Sequence, residues 1–216
     1  MSRLLTFAVP EEAAPFMRLK LDGVRVLVTG MGVDAAQRGI RTDLDSGTPD
    51  LVVTAGFCGG LNPTLERGTV VVDRESDLAL LATAEEVGIQ SVGFHCADRV
   101  AVTASEKEIL FLKTKRDVVE MESGVIASVC RERGIPVVTI RVVSDPSDED
   151  LPLDFNKLIT SKGGIHFGRL ALELVKRPNR IPRLMRLGKN TKDAGGKLAE
   201  ALVKFLEKQG KCSGGT

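Results

Sequence analysis

The 216-residue chain has no tryptophan, no tyrosine and only two histidines, His95 and His166. Eight phenylalanines without Tyr or Trp argue against stacking platforms for single-stranded nucleic acid. Two histidines far apart in sequence leave no basis for a His-rich metal centre or a His-based triad, and no metal site is expected. The four cysteines, Cys58, Cys96, Cys130 and Cys212, are dispersed and form no CxxC, so no disulfide framework is expected and a reducing cytoplasm is favoured. Cys58 and Cys130 lie in apolar stretches and read as small core residues. Long apolar runs are absent too. The first, 4–9, is cut off by Pro10-Glu11-Glu12, too short for a signal peptide, and nothing approaches the ~20 residues of a membrane span. Net charge is also scarce, at +1 from 30 basic and 29 acidic residues. That total speaks against a nucleic-acid coat and against an acidic disordered chain.

A globular composition remains, 43% hydrophobic. A chain of this length can bury roughly 70% of its unfolded surface, so one domain over 1–209 with a flexible tail, 210–216, is expected. Short β-branched runs at 4–9, 24–29, 51–54, 69–73, 99–103, 118–121 and 136–143 read as strands. Several are apolar at successive positions, as in strands covered on both faces. Helical patterns at 34–46, 105–113 and 123–133 lie between them, and Gly134-Ile135-Pro136 marks a helix stop before a strand. The order predicts an α/β fold: three layers, α/β/α, around a mixed, largely parallel twisted sheet.

The last quarter differs. Residues 157–197 carry eleven Lys/Arg against Glu173 and Asp193, a net of +9, so the rest carries −8. Within it, Arg180, Arg183 and Arg186 recur every three residues, with Ile181, Leu184, Met185 and Leu187 on another face. This predicts a short basic amphipathic helix at 180–187. A final helix over about 192–209 places Leu198, Leu202, Phe205 and Leu206 at helical spacing, against the sheet.

Four constellations could carry chemistry. Gly56-Phe57-Cys58-Gly59-Gly60 follows the strand at 51–54, where backbone can approach a ligand, or simply turn. Gly30-Met31-Gly32 follows the strand at 24–29 and offers amides to an anion, or is again a turn. Glu120-Met121-Glu122 sits at a strand–helix junction, where the helix dipole favours carboxylates regardless of function. Arg141-Val142-Val143-Ser144-Asp145 closes a strand; its end is an Asx-type turn or a carboxyl held as a general acid.

Together these segments, with Ala8-Val9-Pro10-Glu11-Glu12, resemble in order and spacing the nucleoside phosphorylase family that includes methylthioadenosine/S-adenosylhomocysteine nucleosidase. The resemblance covers about residues 3–150. Its most specific part is the Met-Glu pair with a downstream Arg-x-x-Ser-Asp. It implies the nucleoside phosphorylase-like fold and cleavage of a purine nucleoside's N-glycosidic bond by water or phosphate. By that likeness Asp145 is the general acid at purine N7, its pKa raised, with Ser144 positioning it. Glu122 binds the ribose hydroxyls and favours the cationic sugar, and Met121 walls the sugar. Glu12 orients the attacking water, and Arg141 anchors it or holds the nucleophile. Glu120, Phe57 and Gly59 join Ser144 around the base. A phosphate or water site is expected at Gly30, Gly32 and Arg141. No cofactor is implied beyond phosphate as co-substrate.

The chain also departs from the family. Phe57 stands where the nucleosidases have Ser, and Thr54 and Phe57 stand where bacterial purine phosphorylases carry a phosphate-binding Arg and Ser. The usual phosphate clamp is therefore missing. Ser144-Asp145-Pro146, Leu151-Pro152-Leu153-Asp154-Phe155 and the Arg/Pro/Leu-rich stretch resemble a branch associated with hopanoid biosynthesis, which removes adenine from adenosylhopane. That implies a small-molecule or lipid-linked nucleoside as substrate, a homo-oligomer with a dimer favoured, and no nucleic acid. It also implies a cytoplasmic protein with peripheral membrane contact through Arg180, Arg183 and Arg186. Alternatively those arginines are solvated while their helix packs on the body. Rival functions are a soluble methylthioadenosine-type nucleosidase or purine nucleoside phosphorylase, and a catalytically inactive nucleoside-binding protein.

Overall fold

The computed structural model describes residues 2–160 and 163–213, the side chains of 211–213 excepted. Consecutive residues of a strand point to opposite faces, and the chain uses both. On β1 (Arg3–Phe7), Leu4 joins one core and Leu5 and Phe7 the other; Val52 and Val53 of β3 (Leu51–Gly60) divide likewise. Helices α2 (Val33–Ser46) and α5 (Ser123–Glu132) cover the first face through Ile40, Leu44, Ile126 and Cys130. The second face is covered by α1 (Pro10–Met17), α3 (Leu78–Glu86) and α7 (Ile181–Ser213), through Phe16, Leu80, Leu198, Leu202 and Phe205. The expected three-layer α/β/α arrangement is therefore present.

The sheet is mixed and mostly parallel. Its path runs from β2 (Val24–Val28) through β1, β3 and β8 (Val137–Asp145) to β4 (Val70–Asp73) and β5 (Gln90–Val92). Parallel pairs join β2–β1, β1–β3, β3–β8 and β4–β5, while β4 runs antiparallel to β8. The far end of β3 turns to a second partner, β7 (Val118–Glu120), which pairs in turn with β6 (Phe94–Cys96).

Several expectations from sequence need correction. The glycine-rich 56–60 segment is no loop: it prolongs β3 and pairs with β8 and β7. The expected strand at 99–103 is irregular instead. There the side chain of Asn156 accepts from the Val100 amide and donates to the Val100 carbonyl, at 2.8 and 3.0 Å, and takes the place of a strand partner. Strands β5 and β6 and helices α1, α3 and α6 (Phe167–Lys176) went unread because each is short or punctuated by Pro or Gly. The two C-terminal helices are one helix, α7. Its internal Gly195 lets it lie close on α1, since a Cβ there would stand 3.1 Å from Pro15. Residues 210–213 of the expected tail continue α7, and 214–216 lie outside the described residues.

Candidate active site

The carboxyl ends of β1, β3, β7 and β8 enclose a cavity of about 220 Å³. Ligand crevices of open α/β sheets form at this end. The cavity gathers Glu12, Phe57, Gly59, Glu120, Met121, Glu122, Ser144 and Asp145 from segments up to 133 residues apart. Local sequence explains how each is held.

Glu12 is the third residue of α1, and its carboxylate turns back to the amides of Ala8 and Val9 at 3.0 and 3.4 Å, the reciprocal half of a capping box. Its other oxygen accepts from the Phe57 amide at 2.8 Å. Gly56 is required beneath it, because a Cβ there would come within 2.9 Å of the carboxylate and φ is +151°. Burial raises the Glu12 pKa against these amides and the Arg141 charge.

Glu120 ends β7 and caps α5. It accepts from the Ser123 hydroxyl and amide at 2.7 and 2.8 Å, from the Glu122 amide at 3.1 Å, and from Arg141 at 3.0 Å. Burial works to raise its pKa, but Arg141 and the Ser123 bonds outweigh it and the carboxyl stays below its ordinary value. Four donors fill the carboxylate expected at the base, so its main work here is to fix Arg141. Arg141 is itself buried, with Thr54 as its other side-chain partner, and does not reach the cavity wall.

Glu122 precedes α5 and accepts from the Gly32 amide at 2.7 Å, across the start of α2. Burial and the neighbouring Glu120 raise its pKa to about 7. The turn expected to hold an anion is thereby used internally. Gly30 donates to the Ala8 carbonyl, Met31 to the Gly163 carbonyl and Gly32 to Glu122. Gly30, Gly32 and Arg141 do not come together as an open anion site, because each is committed to a protein oxygen.

Ser144 and Asp145 are adjacent in β8 yet both line the cavity. A regular strand would send them to opposite faces. The register slips here: Cys58 pairs with Val143, and Gly59 pairs with Asp145. Ser144 is the extra residue of a bulge, and the bulge re-aims Asp145. Ser144 Oγ lies 2.5 Å from Asp145 Oδ1 and 3.2 Å from the Cys58 carbonyl. A hydroxyl has one proton, so a protonated Asp145 satisfies both contacts.

Asp145 Oδ2 meets a group that sequence reasoning missed, the ammonium of Lys107 at 2.6 Å. Lys107 is fully buried on α4 (Ala104–Thr114) and also donates to the Pro146 and Glu149 carbonyls at 2.8 and 2.9 Å, so all three of its donors are used. Burial raises the Asp145 pKa while Lys107 pulls it down; burial prevails. A signal existed: Lys107 lies three and four residues before Leu110 and Phe111, on the helix's inward stripe.

The mouth is apolar, with Val100, Leu151, Phe155 and Leu187 beside Arg99 and Thr191. A groove of about 490 Å³ adjoins it and shares Met31, Arg99 and Met121. The basic segment therefore packs on the body at α7, and Leu187 supplies part of the mouth. Arg180 is half-buried and donates to the Pro152 carbonyl at 3.0 Å, whereas Arg183 and Arg186 are exposed. Among the described residues no group of three or more metal-ligating side chains forms.

A sequence model described as "Phosphorylase superfamily" matches residues 74–176. A 5'-methylthioadenosine/S-adenosylhomocysteine nucleosidase of Shewanella loihica is 26% identical over 197 residues, 74% of this chain and 85% of that one. Its counterpart from Shewanella sp. strain W3-18-1 is 29% identical over 198 residues, with the same coverage of 74% and 85%. Among solved structures, futalosine hydrolase of Helicobacter pylori superposes with a TM-score of 0.70 at 17% identity, covering 95% of this chain and 97% of that one. The Helicobacter pylori nucleosidase in complex with butyl-thio-DADMe-Immucillin-A also gives 0.70 at 17% identity, over 96% and 98%.

Proposed function

We propose that this chain, which is similar over residues 74–176 to the phosphorylase superfamily and at 26% identity to a nucleosidase, hydrolyses the N-glycosidic bond of an adenine nucleoside with a large apolar 5′ substituent. Its similarity to nucleosidases supports an enzyme of nucleoside glycosidic bond cleavage. The observation that carries the reading is the convergence of Asp145, Glu122 and Glu12 on one cavity with an apolar mouth. Glu12 faces Gly56 and Asp145 faces Gly59, three residues along β3 or about 10 Å, which leaves room for sugar and base between them.

In the proposed reaction Asp145 gives its proton to purine N7 as the C1′–N9 bond breaks and its electron pair enters the base. Lys107 and Ser144 then stabilise the carboxylate left behind. Glu122 holds the ribose hydroxyls against the wall of Met121, and its charge supports the oxocarbenium ion. Water held by Glu12 attacks C1′, and Glu12, whose pKa burial has raised, takes the water's proton. Ser144, Phe57 and Gly59 border the base. No cofactor enters. Water is favoured over phosphate because the amides of Gly30, Met31 and Gly32 and the guanidinium of Arg141 are already bonded to protein oxygens.

The apolar mouth supports a lipid-linked 5′ group, and adenosylhopane in hopanoid biosynthesis is the substrate proposed. Such a substrate sets the enzyme to work peripherally at a membrane, with Arg183 and Arg186 exposed beside the mouth. A homodimer belongs to the same reading, with exposed Ile109 and Leu112 on α4 as apolar surface for it. The test is adenine release from 5′-methylthioadenosine and from adenosine bearing a long 5′-alkyl chain, each with and without phosphate. The expected result is phosphate-independent release, faster from the alkyl substrate. A strict need for phosphate overturns hydrolysis, and cleavage of the methylthio substrate alone overturns the lipid-linked reading.

A further inference from the structure

Helix α6 has none of its ten residues buried. At 100° per residue, Phe167, Ala171, Leu174 and Val175 share one side, with Arg169, Glu173 and Lys176 opposite. A surface helix ordinarily turns its apolar side to the core. Here Phe167 is 74% exposed and Val175 79%, with Leu170 and Leu174 part-buried beside them, and Arg169, itself exposed, donates to the Lys157 carbonyl. The pattern continues into α7, where Met185 is 72% exposed and Ile181 41%. From 167 to 189 there are seven Lys/Arg and one acidic residue, Glu173.

We propose that α6 and the first two turns of α7 form a docking surface for an anionic lipid bilayer. Phe167, Val175 and Met185 enter the boundary between headgroups and acyl chains, and Arg183, Arg186 and Lys189 meet the headgroup phosphates. An exposed apolar stripe flanked by cations is the form of an interfacial helix that lies in the membrane surface. No described helix is long and apolar enough to cross a membrane. A second copy of the chain is the poorer occupant, because a two-fold contact through this face would set its cations against their own copies. A nucleic acid would satisfy the cations and leave the apolar side chains in water. The placement has a consequence, since α7 carries on from this surface to Leu187 and Thr191 on the cavity wall. The docked enzyme therefore presents its cavity mouth beside the bilayer, whatever the 5′ group of its substrate.

The test is co-sedimentation of the full chain with vesicles of phosphatidylcholine alone and of phosphatidylcholine mixed with phosphatidylglycerol. Wild type is expected to bind the mixed vesicles about tenfold more tightly or better, and to leave them as salt rises. A Phe167→Ser/Val175→Ser variant is expected to bind them at least about tenfold more weakly, with turnover of a soluble nucleoside unchanged. The proposal falls if wild type ignores the anionic vesicles, or if the double variant binds as wild type does. It also falls if that variant converts a dimer to a monomer, which would make the face a subunit contact. Adenine release without vesicles tests the chemistry by itself, so the two readings fail separately.

Discussion

The floor of the cavity and the arm formed by α6 and the start of α7 are built on opposite principles. On the floor each carboxyl named above is buried and bonded: Glu12 to three amides, Glu120 to Arg141 and Ser123, Glu122 to Gly32, Asp145 to Ser144 and Lys107. On the arm, Phe167, Val175 and Met185 face solvent. Burying charge costs several kcal/mol unless it is paired, so the floor tolerates little change and its carboxyl pKa values are displaced. Exposed apolar groups cost the fold little and leave their energy available to a partner. One region spends its interactions on itself, and the other keeps them.

The contrast can be broken most sharply at Asp145. Asp145→Asn removes the proposed proton donor but keeps the shape, and adenine release should fall roughly 10²–10⁴-fold with the circular dichroism spectrum unchanged. A smaller effect is expected from Glu122→Gln, read as stability against pH. The folded carboxyl holds its proton to about pH 7, whereas its ordinary value is 4.5. Between those values the native state binds the proton and the unfolded state does not, so wild-type stability declines as pH rises through the window. The glutamine variant lacks that decline and should gain on wild type by at most about 3 kcal/mol between pH 4.5 and 7. Chemical denaturation across that range would detect it, and parallel curves would contradict the burial argument.

Lys107→Met should cost about 1–3 kcal/mol in stability, because two part-buried carbonyls lose their donor. It should also shift the alkaline limb of the pH–rate profile upward, since Asp145 loses the cation that lowers its pKa. A merely structural lysine would leave that limb in place. The smallest effect belongs to the arm: Phe167→Ser should change the unfolding midpoint by no more than about 0.5 kcal/mol equivalent. A large loss there would mean that the arm is packed as the floor is.

Much of the architecture was legible because apolar periodicity reports burial directly. Successive apolar positions marked β1, β3 and β8 as covered on both faces and β2 as a strand, which the fold places half-exposed at the sheet edge, and helical spacing marked α2, α4 and α5. The carboxyls of the cavity were legible for a different reason: spacing alone left Glu120 and Glu122 as residues favoured by a helix dipole, and it was the resemblance in motif order that singled out Glu12, Glu122 and Asp145. Short elements escaped. A three-residue strand such as β6 has too few side chains to show a period, and α1, opened by Pro10 and holding Pro15, looks like a turn. The roles of Glu120 and Lys107 were out of reach because each depends on its partner. One is Arg141, 21 residues away, and the other is Asp145, brought back by the fold.

The sequence by itself determined the layered α/β order, the inward faces of its strands and helices, the carboxylates at the strand ends and the cationic C-terminal quarter. These follow from local pattern, in which each residue's preference is set by near neighbours. Only the tertiary structure decided that Ser144 is the extra residue of a bulge and that Asp145 sits between a hydroxyl and a buried ammonium. It decided too that the turn at Gly30–Gly32 serves Glu122, and that Phe167 and Val175 of α6 face solvent. Register, burial and partner choice depend on which distant segments meet, and no local pattern records that.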